Sequence, residues 1–386
     1  MKIAILNNLY PPAPRGGALK IAQTMEKKLS RKGHEVIVIT TDPVKKSKES
    51  NIYYLKSFYL NLFRLPIFLR FFWQLYNLFN IRKYFQIKKI LKKENCDLVI
   101  THNLQGLGQL TPYAIKKVDT THFHVLHDVQ LLHPSGLILV GEEEKSENLF
   151  ARIYSYFNRR FLGSPDCVIS PSRWILEKHQ EKNFFPKSIT KVIPNPVKPN
   201  RDYKNLEKFD VFTFIYAGQI EKHKGVEKLI NTFTEINREW ETEIRLLLVG
   251  SGSLFNQYKK NFQEFGKITF TGWKDPAETR ELIARSHFLV LPSLCYENSP
   301  TVLYEALGVG TPVIASQLGG VPEIIETYGG LIFDPRNFKN LKTKLKKAWE
   351  NYDYYNRQAL ETSQKIMELT PQKYTEKLEK IFKDIS

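Results

Sequence analysis

Short, nearly continuous apolar runs of strand length recur along the chain. The first half carries KIAILNN, EVIVITT, DLVITHN, HFHVLHD and CVISPS, and the second carries FTFIYAGQ, IRLLLVGSG, ITFTGW, HFLVLPS, TPVIAS and GLIFD. Most are separated by charged, amphipathic stretches of helix length, such as GALKIAQTMEKKLSRKGH and GVEKLINTFTEINREW. Strands alternating with helices predict parallel sheets covered on both faces. Between the two sets lies IPNPVKPNRDYKNLEKFD, whose Pro, Asn and charged residues read as a linker. At 386 residues the chain is also too long for one ordinary core. The pattern predicts an α/β protein of two doubly wound, Rossmann-like domains: residues 1–197, a linker at 198–209, residues 210–365, and a last helix at 366–386 packing back on the first domain.

Composition narrows the class. Three widely spaced cysteines, Cys96, Cys167 and Cys295, give neither a disulfide framework nor metal-ligand spacing, which suits a reducing compartment. The opening MKIAILNN reads as a buried strand and not a signal peptide, and no stretch has the 18 or so apolar residues of a spanning helix. The expected location is therefore cytoplasmic. The net charge of +17 is uneven: residues 1–200 hold 31 Lys and Arg against 15 Asp and Glu, and residues 201–386 hold 26 against 25.

In doubly wound sheets ligands bind at the carboxyl ends of the strands. After the first strand, Gly16-Gly17 precede a helix, a place where backbone can approach an anion, or simply a turn. In YAGQIEKHKGVEKLI, Lys222 and Lys224 sit just before Gly225 and a helix start, where a lysine can hold a phosphate. Gly250 and Gly252 mark another tight turn before a helix. The segment CYENSPTVLYEALGVGTPVIASQLGGVPEII sets Glu297 and Glu305 eight positions apart. Pro300 fits the start of a short helix over Thr301 to Gly308, so amides at 298–302 would offer an anion site beside a carboxylate able to accept sugar hydroxyls. Two solvated surface glutamates would be the plain alternative, but Val302, Leu303, Ala306 and Leu307 surround Glu305 with apolar side chains.

That segment resembles the E-x7-E signature of glycosyltransferase family 4, retaining enzymes of the GT-B fold that use nucleotide-sugars. The likeness extends to the Gly16-Gly17 loop, RKGHEVIVIT, Leu126–Asp128, SPSRW, VIPNP and HKG. It implies two Rossmann-like domains facing across a cleft. It places Glu297 on donor-sugar hydroxyls, Asn298, Ser299, Pro300 and Thr301 on sugar and diphosphate, and Glu305 on the ribose. Lys224, with Gly16 and Gly17, falls on the diphosphate, Gly218 and Gly250 in the donor loops, and Trp273-Lys274 on the base. His127 falls beside the transferred sugar, as the best match to the family's histidine, and with Glu297 and Lys224 forms the expected catalytic set. Many members have arginine directly after the glycine that here is Gly218; this chain has Gln219, which leaves charge stabilisation to Lys224 and helix dipoles unless Arg15 or Arg173 compensates.

The expected reaction is retaining transfer of a hexose-type sugar to a glycan acceptor. No Asp-x-Asp or carboxylate cluster is visible to hold a metal, so neither metal nor cofactor is expected. Five of nine histidines, His102, His122, His124, His127 and His133, crowd a short stretch. Alternation of His122 and His124 on one strand would permit a metal, but no carboxylate completes the set. His102, Asn103 and Asp128 end two strands, and His133 follows in a loop, where an acceptor could sit.

Residues 45–93 hold 12 basic side chains against one acid, with thirteen aromatics between residues 51 and 86. Beyond core helices, cations beside aromatics suit an anionic membrane surface, and many family members extend lipid-linked glycans. A peripheral enzyme with a lipid-linked acceptor is expected, at the inner membrane face. Nucleic acid is not an expected partner: no binding motif appears, and the glycine loops would be unexplained. A sugar-nucleotide epimerase of the same fold, or a basic nucleic-acid-binding protein, remains an alternative; a pyridoxal-phosphate phosphorylase would need a far longer chain.

Overall fold

The apolar runs become the strands of two parallel sheets in the computed structural model, which describes residues 1–12, 16–41, 51–198, 203, 206–240, 243–262 and 264–385. In the first sheet β1 (Lys2–Leu6), β2 (Glu35–Thr41), β3 (Ile52–Leu55), β4 (Leu98–Thr101), β5 (Thr121–Val125), β6 (Cys167–Ser170) and β7 (Ile189–Val192) lie in the order β3-β2-β1-β4-β5-β6-β7. Helices α1 (Gly17–Arg31), α2 (Ile67–Leu78), α3 (Ile81–Glu94), α4 (Thr111–Lys116), α5 (Leu149–Leu162) and α6 (Arg173–Gln180) connect them. Alternate residues of β1 enter different cores: Ile3 and Ile5 pack with Ile21 and Met25 of α1, and Ala4 and Leu6 with Ile87 of α3 and Ala114 of α4. This is the arrangement that strands apolar on both faces demand.

The second sheet holds β8 (Phe212–Ala217), β9 (Ile244–Val249), β10 (Ile268–Gly272), β11 (Phe288–Leu291), β12 (Val313–Ser316) and β13 (Leu331–Phe333) in the order β10-β9-β8-β11-β12-β13. Its helices are α7 (Val226–Glu239), α8 (Phe255–Phe262), α9 (Pro276–Arg285), α10 (Thr301–Gly308), α11 (Val321–Tyr328), α12 (Phe338–Glu350) and α13 (Tyr352–Ile366). Phe214 and Tyr216 face the core of α7 and α12; Ile215 and Ala217 face that of α9, α10 and α13. Start signals in the sequence become caps. Ser172 accepts the Ile175 amide at the start of α6, and Asp275 and Glu278 form a capping box on α9.

The chain divides into two compact units. The first takes Met1–Leu137, Glu144–Asn195 and the chain from Pro371; the second takes Ile138–Glu143 and Pro196–Thr370. The final helix, α14 (Pro371–Ile385), belongs to the first unit: Tyr374, Leu378 and Phe382 join the core of α1, and the Phe382 ring lies 4.6 Å from that of Phe123. Of the expected linker at 198–209, residues 199–202 and 204–205 lie outside the described residues, as does Arg15.

In the first unit the strand order reverses between β1 and β4, and in the second between β8 and β11. Loops leaving the carboxyl ends on either side of such a reversal diverge and leave a crevice. The loops after β1 and β4 carry Gly16 and His102; those after β8 and β11 carry Lys224 and Glu297.

Candidate active site

In the second unit Lys224 and Glu297, 73 residues apart in sequence, meet at the reversal: Lys224 Nζ lies 2.6 Å from Glu297 Oε1. Ser293 Oγ donates to the same oxygen at 2.8 Å, and Cys295 Sγ lies 3.7 Å from it. Oε2 accepts nothing among the described residues. Both side chains are largely buried, with 20% and 16% exposure. Burial alone would raise the Glu297 pKa, but the Lys224 charge and the Lys224 and Ser293 hydrogen bonds outweigh it and hold the carboxyl below its ordinary range. Burial would likewise lower Lys224, and the Glu297 charge instead holds it above the usual lysine value. The pair stays ionised, with one carboxylate oxygen and two ammonium protons left for a ligand.

The glycines around this pair answer close backbone contacts. A Cβ on Gly319, at φ +66°, would stand 2.1 Å from Glu297 O, the carbonyl that accepts the Gly320 amide at 2.8 Å. Gly225 caps the Lys224 turn at φ +69°, where a Cβ would stand 2.0 Å from Pro292 O. Gly250 is pressed against Gly218 O, its amide donating to Gly272 O at 2.9 Å while the Gly218 amide donates to Val249 O. These glycines let the loops around the pair pack backbone against backbone. In the first unit, among the described residues, nothing lies within 4 Å of the Cβ positions of Gly16 and Gly17, at the start of α1, whose first turn has no acidic residue. Backbone left open there is accessible to an anion.

Helix α10 starts where the proline predicts, with Pro300 as N-cap. The first-turn amides of Thr301 and Val302 have no acceptor among the described residues, and Ser299 Oγ pairs with the buried Tyr304 hydroxyl at 3.0 Å. Glu305 is half-buried one turn further. Gln219 is exposed beyond β8, its carbonyl accepting from Tyr216. Trp273 is 53% exposed after β10, and Lys274 is paired with Glu278 at 3.0 Å.

One support was not legible in the sequence. Residues Ile138–Glu143, which follow the histidine-rich loop, join the second unit beside Glu297. Leu139 bridges Cys295, the Val140 amide donates to Leu294 O, and the Tyr296 amide donates to Ile138 O. Glu143 accepts from Tyr296 and Arg336 at 2.8 and 3.2 Å. Such a short bridging segment carries no periodic signal.

In the first unit the loops after β4 and β5 form a small, solvent-open pocket with room for about one water-sized group, lined among others by His102, Asn103, His124, His127, Asp128 and Gln130. His102 Nδ1 lies 2.7 Å from His127 Nε2, and Asn103 Nδ2 donates to Asp128 Oδ2 at 2.9 Å. Burial pushes His127 down to about 3 and Asp128 up to about 6, the latter against its hydrogen bonds from Gln130 and Asn103. A histidine neutral at pH 7 acts here as a hydrogen-bonding group, and at that pKa it is a poor general base. His102 is fully buried, and its Nε2 has no partner among the described residues. A buried bare acceptor is better tolerated than a buried orphan N–H, so His102 Nδ1 is the donor and His127 Nε2 the acceptor. His133 stands outside the lining, paired with Ser135 at 2.7 Å. His122 and His124 both bind Thr101 Oγ1, at 2.8 and 2.9 Å, which packs them as neutral core residues. Among the described residues no group of three His, Cys, Asp or Glu is placed to hold a metal.

Comparison with known proteins accounts for both halves. Residues 15–201 match the description Glycosyltransferase Family 4, and residues 198–365 match Glycosyl transferases group 1. The chain belongs to glycosyltransferase family 4. The transferase is 24% identical over 340 residues to N-acetyl-alpha-D-glucosaminyl L-malate synthase of Bacillus anthracis, covering 84% of this chain and 82% of that one. It is 24% identical over 298 residues to an O-antigen biosynthesis glycosyltransferase of Escherichia coli, covering 75% and 78%. Its fold matches Anabaena HepE in complex with UDP-glucose with a TM-score of 0.70 at 16% identity, covering all of both chains, so the fold is GT-B.

The basic, aromatic run requires one correction. Lys83, expected at a membrane surface, is buried, and its ammonium donates to Lys56 O at 2.5 Å. The Lys83 stem is buried among the packed helices while its ammonium reaches a backbone carbonyl, which satisfies the buried charge's hydrogen-bonding need. Residues 45–50 of that run lie outside the described residues. Among the described residues no helix is long and apolar enough to cross a membrane.

Proposed function

We propose that this glycosyltransferase moves a hexose-type sugar from a nucleotide-diphosphate sugar to a glycan acceptor, with retention and without a metal, in the synthesis of a cell-surface polysaccharide or glycolipid. The observation that carries the reading is the ionised Lys224–Glu297 pair at the strand-order reversal of the second unit. Glu297 Oε2 accepts hydroxyls of the donor sugar, and the remaining Lys224 protons take the diphosphate. The Asn298–Thr301 stretch and the α10 dipole hold the same phosphates, Glu305 takes the ribose, and Trp273-Lys274 border the base. As the anomeric C–O bond breaks, negative charge grows on the diphosphate, where a fixed ammonium and oriented amides stabilise it most. An acceptor hydroxyl attacks from the same face as the leaving group, and its proton passes to the departing phosphate oxygen. In the first unit, His127 and Asp128 bind sugar hydroxyls in their cavity, with Asn103 and His102 fixing them. The O-antigen role named for the Escherichia coli relative supports a polysaccharide product. The basic run at 45–93 supports an anionic membrane surface as the working location and a lipid-linked acceptor.

The test is a panel of UDP- and GDP-sugars. A bound donor at 100 times its Kd raises unfolding stability by about 2.7 kcal/mol, and the stabilising donor should then support transfer. If no nucleotide-sugar stabilises the protein, the reading fails.

A further inference from the structure

Helix α5 lies far in sequence from the basic, aromatic run, yet it shares that run's chemistry. On α2, Phe68, Phe72 and Tyr76 recur at i, i+4 and i+8, all exposed; on α5, Leu149, Ile153 and Tyr156 recur at i, i+4 and i+7, all exposed. An apolar stripe at helical spacing normally turns inward. Here the inward faces are other residues, Gln74, Asn77 and Leu78 on α2 and Ala151, Tyr154 and Asn158 on α5. Exposure of Phe72 reaches 61% and of Leu149 71%.

The two helices are joined by rings. Phe71 packs on Phe150 at 4.8 Å, and Phe79 on Phe157 at 5.0 Å. On each helix Phe71 or Phe150 sits between the buried face and the exposed stripe, so the two stripes lie side by side and face outward together. Their charge is one-signed. Neither residues 51–93 nor residues 149–162 contain an Asp or Glu, while α5 adds Arg152, Arg159 and Arg160. Arg152 and Arg160 are exposed.

We infer that α2 and α5 together form one docking surface for an anionic lipid bilayer, with the aromatic and aliphatic stripes entering the interface and the arginines meeting lipid phosphates. The inference extends the membrane location of the proposed function to an element outside the basic run. A second copy of this chain is disfavoured, because two such surfaces would bring cations against cations. A nucleic acid would leave Leu149 and Ile153 without a role. The surface also reaches the acceptor cavity: on the inner side of α5, Asn158 Nδ2 donates at 3.0 Å to the carbonyl of Leu131, which lines it. Only the thickness of this helix, about 10 Å, separates bilayer from cavity wall, a reach that suits an acceptor whose headgroup stands at the interface.

The experiment is co-sedimentation of the full chain with vesicles of 30% phosphatidylglycerol in phosphatidylcholine, and with pure phosphatidylcholine. Each cation at an anionic surface contributes roughly fivefold in partition, so Arg152→Glu/Arg160→Glu should lower binding to the anionic vesicles on the order of 25-fold or more. Leu149→Ser/Ile153→Ser should weaken the binding that persists at high salt. Thermal midpoint and nucleotide-sugar stabilisation should stay unchanged in both, which separates this surface from the donor site and from misfolding. Variants that bind like wild type, equal wild-type binding to both vesicle types, or a wild-type dimer dissociated by the α5 changes would each overturn the inference.

Discussion

Replacing Glu297 by Gln keeps the side-chain size and removes the charge on which Lys224, Ser293 and Cys295 converge. Two effects follow, and they separate. The Lys224 ammonium is left without a counter-charge in a site where the pair is only 20% and 16% exposed. Removing one partner of a fully buried pair costs about 3–5 kcal/mol; with this residual solvent contact, roughly 1–3 kcal/mol is expected. Transfer should fall on the order of 100-fold or more, because on the proposed assignment the neutral amide accepts donor hydroxyls weakly and leaves Lys224 misplaced for the diphosphate. Lys224→Met should destabilise similarly by stranding the carboxylate. The double variant Lys224→Met/Glu297→Gln strands neither charge, so it should recover much of the stability and none of the activity, a coupling readable in a double-mutant cycle. Urea unfolding and initial rates with the stabilising donor measure the two axes. Recovery of transfer in the double variant, or wild-type rates in Glu297→Gln, would refute the assignment.

Other outcomes follow from the same geometry. His102, His122, His124 and His179 are buried with pKa values held below the ordinary histidine range by burial, so folding excludes their protonation. Their stabilisation is complete above about pH 6.5 and is lost as pH falls toward the folded values, at up to about 1.4 kcal/mol per pH unit for each. The urea midpoint of the first unit should drop steeply between pH 6.5 and 4, and a flat profile would contradict the packing. Asp128 has the opposite sign: raised to about 6, its ionised form is disfavoured by folding, a cost complete above pH 6 and relieved below it. Asp128→Asn should therefore raise stability at pH 7.5 by roughly 1–2 kcal/mol while lowering transfer, and a loss of both would point to a purely structural role. Gln219→Arg should tighten nucleotide-diphosphate binding by roughly fivefold, the worth of one exposed charge contact; weaker binding in titration calorimetry would mean another cation already acts there. Gly319→Ala should lower both thermal midpoint and transfer by displacing Glu297, whereas Gly17→Ala, with open space at its Cβ, should lower transfer alone.

All six strands of the second sheet and the five inner strands of the first were legible as apolar runs, because most are covered on both faces; the edge strand β10, with Thr269 exposed, still shows apolar Ile268 and Phe270. The two missed strands, β3 and β7, are the edges of the first sheet. Ile189 and Val192 of β7 are exposed, so ITKV shows no buried run. Glu297 and Lys224 were legible from motif and helix-start position, but their pairing needed the topology, since only the β8–β11 neighbourhood brings the loops together. Gly250 was read as a tight turn and Gly225 as the end of a lysine-bearing turn; there, and at Gly319, the glycines answer backbone contacts that no local pattern records. Lys83 was misplaced because charge alone does not tell which face of α3 a lysine occupies.

The most direct measurement of the central claim is the product balance with the stabilising nucleotide-sugar, with and without a glycan acceptor from a membrane extract. Nucleoside diphosphate should be released in equal amount to sugar joined to the acceptor, with anomeric configuration kept and a rate unchanged by chelator. Conversion of the nucleotide-sugar without acceptor, or diphosphate release with no sugar transferred, would contradict the claim.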